Sequence, residues 1–289
     1  MNKDYLVKSL AFEGEIRIYA ARTTDLVQVA KENGAAYPTA AAAIGRTLTA
    51  TVMMGSMLKG HETVTVRING GGPIGIIIAD ANAHGKVRGY AANPRVHFQY
   101  DSGKLNVGMA VGTAGDLYVT KDLGLKDYFT GQVPLQTGEI GDDFTYYFTQ
   151  SEQTPSAVGL GVLVNPKNDV VAAGGFIVQV MPGASEAAIS TLEKSLSSIR
   201  PVSEMIAAGM TPEEMIAELV GAGKFKILET VPLAFECSCD KEKFKAGLIS
   251  LGHKELDTMI KEDDGAEVVC HFCMEKYQFT AEELEGLKK

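Results

Sequence analysis

The chain lacks any run of about eighteen uncharged apolar residues, so none of its 289 positions reads as part of a membrane-spanning helix. Its amino end, MNKDYLVKSLAFEGE, places Lys3, Asp4 and Lys8 where a secretory signal needs an apolar stretch. A cytoplasmic protein with no membrane partner is expected. Basic residues are in short supply: 27 Lys and Arg stand against 36 Asp and Glu, a formal charge of −9, which argues against general nucleic-acid binding. Histidine is scarce as well. His61, His84, His97 and His253 are isolated and form no catalytic pattern, so no enzyme chemistry is assigned to them. Cysteine is absent from the first 236 positions.

The four cysteines that do occur all fall in the last fifth of the chain. Cys237 and Cys239 form a C-x-C pair, and after a spacer of about thirty residues Cys270 and Cys273 form a C-x-x-C pair. A reducing cytosol disfavours static disulfides, so neighbouring thiols there point to a metal site or a redox element. Two thiol pairs at the ends of one loop suit a tetrahedral ion, and zinc is expected because soft thiolates select it. His271 lies between two of these cysteines, but four thiolates complete the shell.

An α+β fold is expected, with a β-rich antiparallel amino-terminal domain and packed helices over 1–182, a helical linker over 183–230 and a small zinc-binding module over 231–289. EIRIYAAR alternates as a strand, and TTDLVQVAKENG follows as a helix with Thr23 or Thr24 as its cap. Pro38 to Gly60, rich in alanine and methionine, predicts a long buried helix. ETVTVRING, PIGIIIAD, KVRGYAAN and DLYVTKD are short β runs that predict an antiparallel meander. A helix around 143–153 precedes a β pair, SAVGLGVLVNP and DVVAAGGFIVQV, and helical segments follow Pro182. The glycine-rich NGGGPIG invites a phosphate-binding reading, but isoleucines follow it where a helix should start, so a turn with tight packing is expected.

From about Glu236 the tail offers a thin set of core residues: Phe244, Leu248, Leu251, Leu256, Ile260, Val268, Phe272, Tyr277 and Phe279. A module this small needs a staple, and zinc supplies about 10–16 kcal/mol in comparable modules. Zinc also holds its cysteines as thiolates, the form that peroxide or hypochlorous acid oxidises. Each cysteine has a partner across one or two intervening residues, so Cys237 can pair with Cys239 and Cys270 with Cys273.

The C-x-C, the spacer and the C-x-x-C at the carboxy end, together with GGGPIGIIIADANAHGKVRGYA in the β-rich body, resemble the bacterial family of redox-regulated thirty-three-kilodalton chaperonins over essentially the whole chain. The resemblance implies an ATP-independent holdase rather than an enzyme. It implies a reduced, inactive form with Cys237, Cys239, Cys270 and Cys273 on one Zn²⁺, and an oxidised form with disulfides Cys237–Cys239 and Cys270–Cys273. The oxidised form would dimerise and bind unfolding client proteins. In the family the C-x-x-C pair oxidises first, and the helical linker then unfolds.

Other readings remain beside it. A constitutive zinc-stapled binding protein would use the same four ligands without switching. A zinc ribbon for nucleic acid conflicts with the acidic tail, which carries Glu236, Asp240, Glu242, Glu255, Asp257, Glu262, Asp263, Asp264 and Glu267. A thioredoxin-like motif would need a βα unit after Cys273. Met53, Met54 and Met57 are read as core filling; Met205, Met210 and Met215, in the linker, suit either core filling or contact with clients.

Overall fold

The structure, a computed structural model, describes residues 3–288 and divides into two compact units, the first running to Glu236 and the second starting at Cys237. In the first unit, apolar alternation yields β1 (Tyr5–Ala11) and β2 (Ile16–Arg22). α1 (Thr24–Asn33) follows Thr23, which occupies the N-cap position without a side-chain cap hydrogen bond. Pro38 opens α2 (Pro38–Gly55), where its fixed φ and missing N–H are tolerated. Helix α2 is buried nearly all round. Its threonines are satisfied locally: Thr47, Thr49 and Thr51 donate to the carbonyls of Ala43, Gly45 and Thr47 at 2.7–2.9 Å. The helix stops at Gly55, short of the expected Gly60, because the chain passes into tight turns in which the N–H groups of Met57 and Leu58 reach only three residues back.

The chain continues through β3 (Thr63–Asn69), β4 (Ile77–Asn82), β5 (Lys86–Ala91), α3 (Val107–Val111), β6 (Asp116–Asp122), β7 (Phe129–Pro134) and α4 (Gly141–Gln150). The β pair expected next is β8 (Ser156–Val164) and β9 (Val170–Val180), followed by α5 (Glu186–Ser198), α6 (Val202–Ala207), α7 (Pro212–Val220), β10 (Phe225–Pro232) and the short β11 (Ala234–Phe235). One sheet has the order β10-β1-β2-β9-β8, and the other β11-β5-β4-β3-β6-β7. All pairings are antiparallel except β11 with β5. The meander therefore covers β3 to β5 only, and β6 returns to the far side of β3.

The glycine loop explains that return. The N–H groups of Gly72 and Ile74 donate to the carbonyls of Val111 and Ala110 at 2.9 and 3.0 Å, and that of Ala114 donates to the Gly70 carbonyl at 3.0 Å. A Cβ at Gly72 would overlap the Ala110 carbonyl and the Val111 backbone. These N–H donors are committed to the chain itself, so the run serves close packing rather than phosphate binding.

Helix α2 packs against both sheets, and the larger core gathers around it: Leu48, Val52 and Met53 meet Val64, Val66 and Ile77 from one sheet and Ile177 from the other. The opposite face of the five-stranded sheet, with Val7, Ile16, Ile18 and Val178, is covered by Leu192, Val202, Ile206, Ile216 and Leu219 of α5–α7. Met205 and Met215 are fully buried there and fill core. Near α3 and α4, Glu139 accepts from the Gly108 N–H at 3.0 Å, the Tyr100 hydroxyl at 2.9 Å and the Arg46 guanidinium. Burial pushes this carboxyl up, but those donors win and hold it below its ordinary value. Among the described residues no helix is long and apolar enough to cross a membrane.

The second unit contains α8 (Lys241–Leu251), α9 (His253–Asp263), a hairpin of β12 (Gly265–Val269) and β13 (Lys276–Thr280), and α10 (Ala281–Gly286). Asp240 caps α8 through the Lys243 N–H, and Thr280 with Glu283 forms a capping box on α10. Leu248, Leu256, Phe279 and Leu284 are its buried core. Leu251, expected inside, is 50% exposed, and Phe272 stands outside the core group. Leu284, at 0% exposed, takes a place the sequence pattern did not assign.

Candidate metal centre

The two cysteine arms come from different local structures. Cys237 and Cys239 lie on the segment, without regular secondary structure, that leads into α8, and Asp240 fixes where that segment ends by capping the helix. Cys270 and Cys273 lie in the turn between β12 and β13. The turn is closed by two backbone hydrogen bonds, Cys270 N–H to the Glu275 carbonyl at 2.9 Å and Met274 N–H to the Cys270 carbonyl at 2.8 Å. Met274 takes a positive φ of 59° to complete it.

These elements bring all four Sγ atoms within 4.8 Å of one another. Cys237 and Cys270 sulfurs are 3.7 Å apart, and those of Cys239 and Cys273 are 3.3 Å apart. Four thiolates at about 2.3 Å from a tetrahedral zinc would stand about 3.8 Å apart, so the donor set fits such an ion in both chemistry and size. Among the described residues this is the one gathering of three or more Cys, His, Asp or Glu ligand atoms, and His271 is not part of it.

The protons on these sulfurs are unevenly held. Burial raises Cys270, but the backbone N–H groups of Cys273 and Phe272 lower it more, and the balance brings it down to about 7. Burial together with neighbouring cysteines pushes Cys237 and Cys273 above the ordinary thiol value. The cause is mutual: four sulfurs this close cannot all ionise unless a cation sits between them. Cys270 is also the most buried of the four, at 4% exposed.

One residue of the site escaped the sequence reading. Tyr277 was counted as core, and its ring does pack on Phe244 with centroids 5.0 Å apart. Its hydroxyl, however, lies 3.3 Å from the Cys239 Sγ and donates to the Cys239 carbonyl at 3.2 Å. No spacing rule links a tyrosine to a cysteine 38 positions earlier; only the β12–β13 register, which sets Tyr277 opposite Val268, aims it there.

Comparison with known proteins agrees with this architecture. A family profile described as Hsp33 protein matches residues 4–280. The 33 kDa chaperonin of Bacillus velezensis is 58% identical over 99% of this chain and 98% of its own length. That of Bacillus subtilis is 57% identical with the same coverage. A crystal structure of the 33 kDa chaperonin from Thermotoga maritima, a heat shock protein 33 homologue, superimposes with a TM-score of 0.92 at 35% identity, over 99% of this chain and 98% of that one. With the profile spanning nearly all of the sequence and relatives this similar along their full length, the chain belongs to the Hsp33 family.

Proposed function

We propose that this protein is an oxidation-activated, ATP-independent holdase of the cytoplasm, whose switch is the four-cysteine site. The observation that carries the reading is the gathering of four sulfurs within 4.8 Å in a module with a core of only four buried side chains. Cys237, Cys239, Cys270 and Cys273 hold one Zn²⁺ in the reduced protein, and bound zinc keeps all four as thiolates and staples the module.

Oxidation then acts on the same sulfurs. The Cys270 thiolate attacks a peroxide oxygen, breaking the O–O bond to give a sulfenic acid and hydroxide. The Cys273 thiolate displaces the sulfenic oxygen as hydroxide, which solvent protonates, and forms the S–S bond, so two cysteine electrons reduce one peroxide. A second peroxide does the same for Cys237 and Cys239. Sulfur contacts of 3.7 and 3.3 Å run between the two arms while the site is closed. Once they part, each cysteine keeps the partner in its own arm within reach. Two disulfides offer no thiolate, so the module from Cys237 onward loses its staple.

The opening spreads to the helical segment over 183–230. Helices α6 and α7, of 6 and 9 residues, are too short to persist away from the sheet they cover. Their release bares the apolar face around Ile16, Ile18 and Val178, giving unfolding clients a surface and two copies of the chain a route to a homodimer. The test treats reduced, zinc-loaded protein with peroxide at heat-shock temperature and follows zinc release together with light scattering of a thermally unfolding client. Parallel zinc release and loss of scattering is the expected result. Zinc release without suppression of scattering returns the site to a constitutive staple.

A further inference from the structure

The two arms of the site are joined by more than their sulfurs. The Tyr277 hydroxyl reaches both the carbonyl and the Sγ of Cys239, at 3.2 and 3.3 Å. Two residues on, Lys241 makes an ion pair with Glu283 at 2.6 Å and lies 4.9 Å above the Phe279 ring. Of these contacts, only the tyrosine touches a sulfur. Its aim is fixed at both ends, by the antiparallel pairing of Tyr277 with Val268 and by the packing of its ring on Phe244. The C-x-C arm has no strand of its own in this unit to set its register, since its two cysteines lie in the segment without regular secondary structure before α8.

Building on the zinc-site reading above, we propose that Tyr277 is a positioning residue for Cys239, holding this sulfur in register with Cys273 and shielding it by hydrogen bonding until the module opens. Tyr277 has one O–H, which the Cys239 carbonyl and Sγ share; the part directed at a thiolate occupies a lone pair that would otherwise attack an electrophile or oxidant. Partners of this kind behind a ligand commonly contribute roughly 10–100-fold to metal retention. The position also makes the tyrosine part of the latch. When the β12–β13 turn rearranges, the hydroxyl leaves Cys239 with it, so disturbance of the C-x-x-C arm bares the C-x-C arm.

Tyr277→Phe tests this, because it keeps the ring and removes only the hydroxyl. Two readouts are taken on reduced full-length protein without any client: zinc retention against a graded chelator, and the rate at which iodoacetamide modifies Cys239 relative to Cys237 in zinc-free protein. The expected results are zinc retention weakened roughly 10-fold and a Cys239 to Cys237 rate ratio raised about three-fold or more. Leu284→Ala, which loosens the module's core but leaves Tyr277 and its packing partner Phe244 in place, is the reference for any loss of fold. The proposal is overturned if Tyr277→Phe matches the parent in both readouts, or if its losses equal those of Leu284→Ala. Neither result touches the holdase reading, which stands or falls on peroxide activation of the unsubstituted protein.

Discussion

Removing zinc should damage the second unit more than removing its best-buried side chain, and the structure indicates by how much. Leu256 is 0% exposed and belongs to a core whose other buried members are Leu248, Phe279 and Leu284. Leu256→Ala loses the transfer free energy of the side chain and leaves a cavity, a cost of about 2–5 kcal/mol. A four-thiolate zinc site contributes about 10–16 kcal/mol of apparent folding free energy in small modules. The metal therefore outweighs the leucine by at least a factor of two. Amide hydrogen exchange across residues 237–288, with the first unit as internal reference, separates the cases. Zinc-loaded Leu256→Ala should keep protection in β12 and β13, whereas the unsubstituted protein stripped of zinc under reducing conditions should lose it there while the two large sheets stay protected. The opposite ranking, with an intact zinc-free module or an unfolded zinc-loaded variant, would refute the reasoning that metal rather than apolar burial holds this unit together.

Other consequences concern the first unit. Arg46→Met strands the partly buried Glu139 carboxylate and should lower stability by about 2–3 kcal/mol in urea unfolding at neutral pH. Because Arg46, the Gly108 N–H and Tyr100 hold Glu139 below its ordinary value, their contribution is present above that value, 4.5, and is lost as pH falls through the lower folded one. The difference between parent and variant should therefore shrink in acid; a constant gap would contradict the assignment. Gly72→Ala should destabilise the first unit by about 1–3 kcal/mol through overlap with the α3 backbone, leaving zinc content unchanged; an unaltered melting curve would remove the close-packing account of the glycine run.

What was legible in the sequence was mostly chemistry confined to a few neighbouring residues. Pro38 and the alanine-rich run announce α2, alternation announces β2, short β-rich runs announce β3 to β5, and the spacing of Cys237, Cys239, Cys270 and Cys273 announces a shared site because a tetrahedral ion needs donors of one kind close together. The features that were missed depend on contacts between distant segments. Whether β6 pairs with β5 or β3 is settled by the Gly70–Gly72 approach to Val111 and Gly112, which no local propensity encodes. Leu251 and Leu284 are alike in type, yet one is exposed and the other enclosed, since α8 ends at Leu251 and α10 folds back over α9. Tyr277 looked like one more aromatic core residue until the hairpin register placed its hydroxyl on Cys239.

The central claim is that the four cysteines form one latch, closed by a metal and opened by oxidation. It is tested most directly by counting thiols and measuring hydrogen exchange over residues 237–288 on the same sample, before and after peroxide. The account predicts that four thiols are lost, that the pairs are Cys237 with Cys239 and Cys270 with Cys273, and that protection of β12 and β13 collapses in step with the second pair at the latest. An oxidised protein with both disulfides formed and that hairpin still protected would contradict it.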